Sequence, residues 1–137
     1  MLAYKLQITE TILRIFTGVL FLFQGYDKIF KVKISGVINT FLSDAELHHI
    51  HKPIVTVIAY YTSTVELICG IALIVGIFTN YSLVLLGIDL VLVGVAFSLI
   101  EPMWDMRHVF PRLLLVTILL LLPEEWNKIS LDFLLKH

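Results

Sequence analysis

TILRIFTGVLFLFQGYDKIFK, residues Thr11–Lys31, is the stretch whose reading decides the fold. It is long and apolar enough to cross a bilayer as a helix, which takes about 20 residues. Yet Arg14 sits inside its first half, and Gln24, Asp27 and Lys28 lie towards its end. At about 100° per residue, Arg14, Gly18, Phe21, Gly25 and Lys28 share one stripe, with Gln24 on its shoulder. A charge in the middle of lipid costs several kcal/mol, so the stripe must face protein or a water-filled cavity. Gly18 and Gly25 permit close approach of a second helix along it.

Composition agrees with a membrane protein. Hydrophobic residues make up 58% of the 137 positions and charged residues 15%, against roughly 45–50% and 25% in soluble domains. The formal net charge of -1 gives no electrostatic footprint for nucleic acid. The single cysteine, Cys69, excludes an internal disulfide and a paired-cysteine redox motif. Arg14 interrupts the apolar part of the N-terminal region and no small-residue cleavage site follows, so the segment is expected to remain as an anchor.

Outward from the first span, the pattern predicts an all-α, four-helix transmembrane bundle forming one membrane domain, residues 1–137. The spans are placed at about 12–30, 54–78, 81–100 and 109–122. The first connector, KVKISGVINTFLSDAELHHIHKP, is too polar to cross. Its Ile34, Val37, Ile38, Phe41 and Leu42 recur at helical spacing, so it is read as partly helical and interfacial. Ser43-Asp44-Ala45-Glu46 reads as a helix start with Ser43 as N-cap. Pro53 opens the second span, and Thr79-Asn80 reads as the short turn of a hairpin. Pro123 ends the fourth span. The tail places Trp126, Ile129, Phe133 and Leu134 on one side, which predicts an interfacial C-terminal helix.

The second and third spans contribute buried acids. Glu66 shares a face with Ala59, Thr62 and Gly70, which marks a closely packed side, and Asp89 lies within the third span. Measured from the Thr79-Asn80 turn at 1.5 Å per residue, Arg14 lies roughly 5–10 Å deep, Asp89 roughly 12 Å and Glu66 roughly 18 Å. Arginine keeps its proton and needs an acceptor. Arg14 is therefore expected to pair with Glu66, Asp89 or both, with Glu66 favoured. Such a set is either a ligand or proton site or an ion-pair network that pins helix register. The third connector and the start of the fourth span add Trp104, Arg107, His108 and Arg112. With Lys28 on the same side of the membrane, they offer a second place for an anionic or quinone-like ligand.

Other groups read as structural. His48, His49 and His51, with Asp44 and Glu46, have helical spacing suited to a metal, and His48 and His51 are the weak candidates. The run lacks a matched ligand set, so a solvated connector is expected and no metal is assigned. Cys69 is expected to pack as an inert core thiol. Tyr60, Tyr61, Trp104 and Trp126 are expected at the membrane interface or in packing. Positive charge favours a cytoplasmic location for the first and third connectors. Setting Lys28 and Arg112 aside reduces that bias to four against three, which leaves orientation open.

LRIFTGVLFLFQGYDKIF and VELICGIALIVGIFTNYSLVLLGIDLVLV together resemble the DoxX-type small integral membrane proteins. The first carries an arginine, a small-residue stripe, then a glycine and a lysine near the helix end. The second carries an acid, a glycine-rich apolar run, a short turn and a further span. The matching positions are Arg14, Gly18, Gly25, Lys28, Glu66 and Gly70; Asp27 and the HHIH run have no counterpart. The resemblance implies a four-helix bundle in a bacterial inner (cytoplasmic) membrane. It also implies a subunit or accessory protein of a redox system that contacts quinone, as part of a quinone-linked oxidoreductase. Its partners would be the lipid bilayer, a partner protein or further copies of the chain, and a lipid-soluble small molecule. Two alternatives stay open: a small-molecule or ion transporter or binding protein with a buried Arg/Glu/Asp site, and a membrane anchor or assembly factor.

Overall fold

A computed structural model describes residues 2–47, 51–100 and 107–136. The described chain runs α1 (Leu2–Tyr26), a π-helical turn (Asp27–Lys31), α2 (Lys33–Leu47), α3 (Lys52–Val75), α4 (Thr79–Ile100) and α5 (Val109–Leu121). A single 3-10 turn (Glu124–Trp126) and α6 (Leu131–Lys136) complete it. Three helical stretches are long and apolar enough to cross a membrane: Leu2–Lys31, Lys52–Val75 and Thr79–Ser98. The fourth apolar helix, α5, has 13 residues, about 20 Å at 1.5 Å per residue, short of a 30 Å hydrocarbon layer.

Helix α1 lies antiparallel on α3, and glycines set the spacing. A Cβ added at Gly25 would lie 2.5 Å from the Leu67 amide nitrogen, and one at Gly70 would lie 2.5 Å from that of Leu22. At Gly18 it would lie 2.9 Å from the Gly70 carbonyl oxygen. The backbones thus touch along the stripe that the sequence marks. The apolar core fills the space between this pair and the other two helices. It includes Phe21 of α1, Leu73 of α3, Leu83, Leu86 and Leu90 of α4, and Val116 and Leu119 of α5.

The hairpin turn differs from expectation. Helix α3 ends at Gly76, whose φ of 76° closes the helix with Gly76 and Ile77 amides donating to the Ala72 carbonyl. Phe78 follows with φ of 49°. Thr79 already belongs to α4, so the turn is Gly76–Phe78 and not Thr79-Asn80. The cause lies in the tail: the Asp132 carboxylate accepts from the Phe78 amide at 2.8 Å and the Thr79 amide at 2.9 Å, capping α4.

Two further expectations are corrected. Ser43–Glu46 does not start a helix, because α2 is already continuous from Lys33. The tail is not one interfacial helix. Pro123 stops α5 in extended backbone, and regular helix resumes only at Leu131. Between them the chain folds back over the α3–α4 turn, where the Asp132 amide donates to the Gly76 carbonyl at 2.8 Å.

Candidate functional site

The polar stripe of α1 meets different partners at its two ends. At the first, Arg14 is 1% exposed. Its Nε lies 3.2 Å from Oε1 of Glu10, one turn earlier on the same helix. Nη1 donates to the Leu73 carbonyl at 2.5 Å and Nη2 to the Ile129 carbonyl at 2.6 Å. Leu73 lies in the last turn of α3, whose carbonyls lack intrahelical partners and carry the negative end of the helix dipole. Arg14 thus clasps α1, the end of α3 and the tail.

The expected pairing of Arg14 with Glu66 or Asp89 is therefore overturned. Arg14 faces residues 73 and 74 of α3. Glu66 lies seven to eight residues away, about 10–12 Å along the axis.

At the other end α1 runs into the π-helical turn. The Val32 amide reaches back to the Asp27 carbonyl at 2.8 Å, across five residues. Lys33 takes φ of 60°, an uncommon conformation for a side chain with Cβ, and the chain turns into α2. Within this turn Lys28 points inward, and its Nζ lies 2.6 Å from Oε2 of Glu66. Glu66 is 2% exposed and Asp89 0%. Neither oxygen of Asp89 has a hydrogen-bond partner among the described residues, and Oε1 of Gln24 is also buried without one.

Glu66 and Asp89 lie at one depth. Each is ten residues from the turn (76 − 66 and 89 − 79), about 15 Å along its helix. Glu66 and Lys28 both act electrostatically on Asp89, and Arg112 of α5 acts on Glu66. The structure thus gathers the buried Glu66 and Asp89 with the half-buried Lys28, and with Arg112 at longer range, into one cluster.

A cavity of about 460 Å³ adjoins this cluster. Among the described residues its wall is almost entirely apolar, built by Val55, Ala59, Leu92 and Ala96 with others, and Lys28, Thr62 and His51 are the polar members. Phe41 of α2 packs edge-on against Phe97 of α4 at 5.4 Å and closes one side. Ile54 and Val95, also in the wall, are 51% and 55% exposed, so the cavity opens on the flank of the bundle. Thr62 stands one turn from Glu66, and Val93 one turn from Asp89. The carboxyl pair therefore lies one helical turn beneath the cavity, with Lys28 between. A pocket this apolar with one ammonium in its wall suits a lipid-soluble molecule bearing a polar, acceptor-rich head.

A family model described as DoxX matches residues 10–99. The chain belongs to the DoxX family. It is an integral membrane protein on that membership and on its three long apolar helices. The match runs from within α1 almost to the end of α4 and includes Lys28, Glu66, Asp89 and the residues that line the cavity. No curated protein and no solved structure matches this DoxX chain.

The remaining candidates fall elsewhere. Asp27 pairs with Lys31 at 2.7 Å on the exposed side of the turn. Arg107 and His108 are exposed at the start of α5. His48 and Trp104 lie outside the described residues, whereas His51 lines the cavity. Cys69 is buried in the core. Sequence reasoning missed three groups: Glu10, Ile129 and Asp132. Glu10 carried a signal, since it stands four residues before Arg14, the spacing of a helical ion pair. The Ile129 carbonyl and the Asp132 cap depend on how the tail folds and had none.

Proposed function

We propose that this DoxX protein is a small membrane subunit or accessory protein of a redox system that holds a quinone-like molecule in the cavity between α2, α3 and α4. The observation that carries the proposal is the 460 Å³ apolar cavity with the Lys28 ammonium in its wall. A quinone presents two carbonyl acceptors on a flat ring and an isoprenoid tail. Lys28 would donate to one carbonyl, and the open flank at Ile54 and Val95 would pass the tail to lipid. Glu66 holds the ammonium in place and compensates its charge.

A second reading, a binding or transport protein for another small molecule, draws on Asp89, a buried carboxyl beside the same cavity. The two readings part in a titration of the purified protein in nanodiscs with a short-chain ubiquinone analogue. The redox reading expects saturable binding, weakened roughly tenfold or more by Lys28→Met, because a hydrogen bond to a charged donor contributes about 1.5–3 kcal/mol. Ala59→Phe, which fills the cavity, should abolish binding. Absence of binding by the folded wild type would refute the quinone reading.

A further inference from the structure

We infer that Glu66 and Asp89 together bind one exchangeable proton at the inner end of the cavity. The inference stands apart from the identity of any ligand, since it concerns the empty protein.

The geometry leads to it in three steps. First, Asp89 is fully buried in α4, and neither of its oxygens meets a donor among the described residues. An ionised carboxylate without a hydrogen bond is strongly disfavoured in an apolar interior. Second, the groups facing it do not neutralise it. Helix α3 presents Glu66 and Cys69, the first an acid and the second a thiol. The π-helical turn presents Lys28, but Lys28 is in contact with Glu66 at 2.6 Å. Helix α5 presents Arg112, which acts on Glu66 and forms no ion pair among the described residues. One contacting ammonium thus faces two carboxyl groups at the same depth. Third, two acids so placed titrate as a pair: ionising one disfavours ionising the other, and the first proton held belongs to both.

The site also has a route of exchange. Lys28 lines the cavity and touches Glu66. Thr62 and Val93, one turn above the two acids, lie in the cavity wall. A proton on the pair is therefore within one helical turn of whatever occupies the cavity, and the opposite side is closed by the apolar core at Leu86 and Leu73.

The test is pH-dependent infrared difference spectroscopy on the purified full chain in nanodiscs, without added ligand. A protonated carboxyl has a carbonyl stretch that an ionised carboxylate lacks. The wild type should show this band at neutral pH and lose it on alkalinisation. Asp89→Asn should lack it at neutral pH, because Glu66 is then left ionised against Lys28. Glu66→Gln should lose its band at lower pH than the wild type, and Lys28→Met at higher pH. Arg112→Gln should move the transition much less than Lys28→Met. Circular dichroism identifies any variant that fails to fold, and the Glu66 and Lys28 variants then carry the test through their opposite shifts. No band in folded wild type at neutral pH would overturn the proposal. So would a band that survives the Asp89→Asn, Glu66→Gln double variant, or shifts of the same sign in Glu66→Gln and Lys28→Met.

Discussion

At the scale of residues, Arg14 and Lys28 occupy the same stripe of α1 and its continuation but serve different ends. Arg14 is held by a carboxylate and three backbone carbonyls from three segments. Such a guanidinium stabilises through its fork of donors, which lysine does not reproduce. Arg14→Ala leaves Glu10 buried without its cation, and loss of one partner of a buried pair costs about 3–5 kcal/mol. Thermal unfolding in detergent should show a large drop for Arg14→Ala, with Arg14→Lys recovering only part of it. Near wild-type stability for Arg14→Ala would mean that the clasp contributes little. Because Arg14 and Glu66 are separated along α3, Arg14→Ala and Glu66→Gln should be additive.

At the scale of elements, the α1–α3 seam decides where the charges go. Gly25 lies between Phe21 and Lys28 on the stripe and touches the Leu67 backbone. Adding a methyl group there forces the helices apart, at about 1–3 kcal/mol for overpacking. The displacement falls next to the Lys28–Glu66 pair. Gly25→Ala should therefore lower the melting temperature and weaken binding of the quinone analogue, whereas Gly94→Ala, with no neighbour within 4 Å among the described residues, should change neither. Equal behaviour of the two variants would show that the seam does not set the site.

Much of this level was legible in the sequence. The stripe of Arg14, Gly18, Gly25 and Lys28 follows from helical period alone, and Gly70 opposite Gly18 follows from the small face around Glu66. The pairing was not legible, for two reasons. The register of α1 on α3 depends on which glycine meets which, and counting depths from an assumed turn shifted Glu66 and Asp89 apart. The π-helical turn at Asp27–Lys31, which no periodicity announces, sets where the chain leaves that stripe and turns into α2. The cavity depends on α2 folding back against α3 and α4, a contact between segments that sequence spacing does not reveal.

At the scale of the whole molecule, a membrane protein with three long apolar helices carries a fourth, α5, that packs on α4 with Val116 beside Gly87. We propose that α5 is a fourth crossing, helped by local thinning of the bilayer around a short helix. Reporter fusions after residues 3 and 137 should then report the same side of the membrane; opposite sides would exclude four crossings. The quinone-like ligand is proposed to sit at the flank between α3 and α4. A photoreactive quinone analogue applied to native membranes, with adducts mapped by mass spectrometry, tests it most directly. Adducts are expected at cavity residues such as Val55, Ala59, Leu92 and Ala96, lost in Ala59→Phe. Adducts confined to the outward faces, at Val57, Ile68 and Val91, would contradict it.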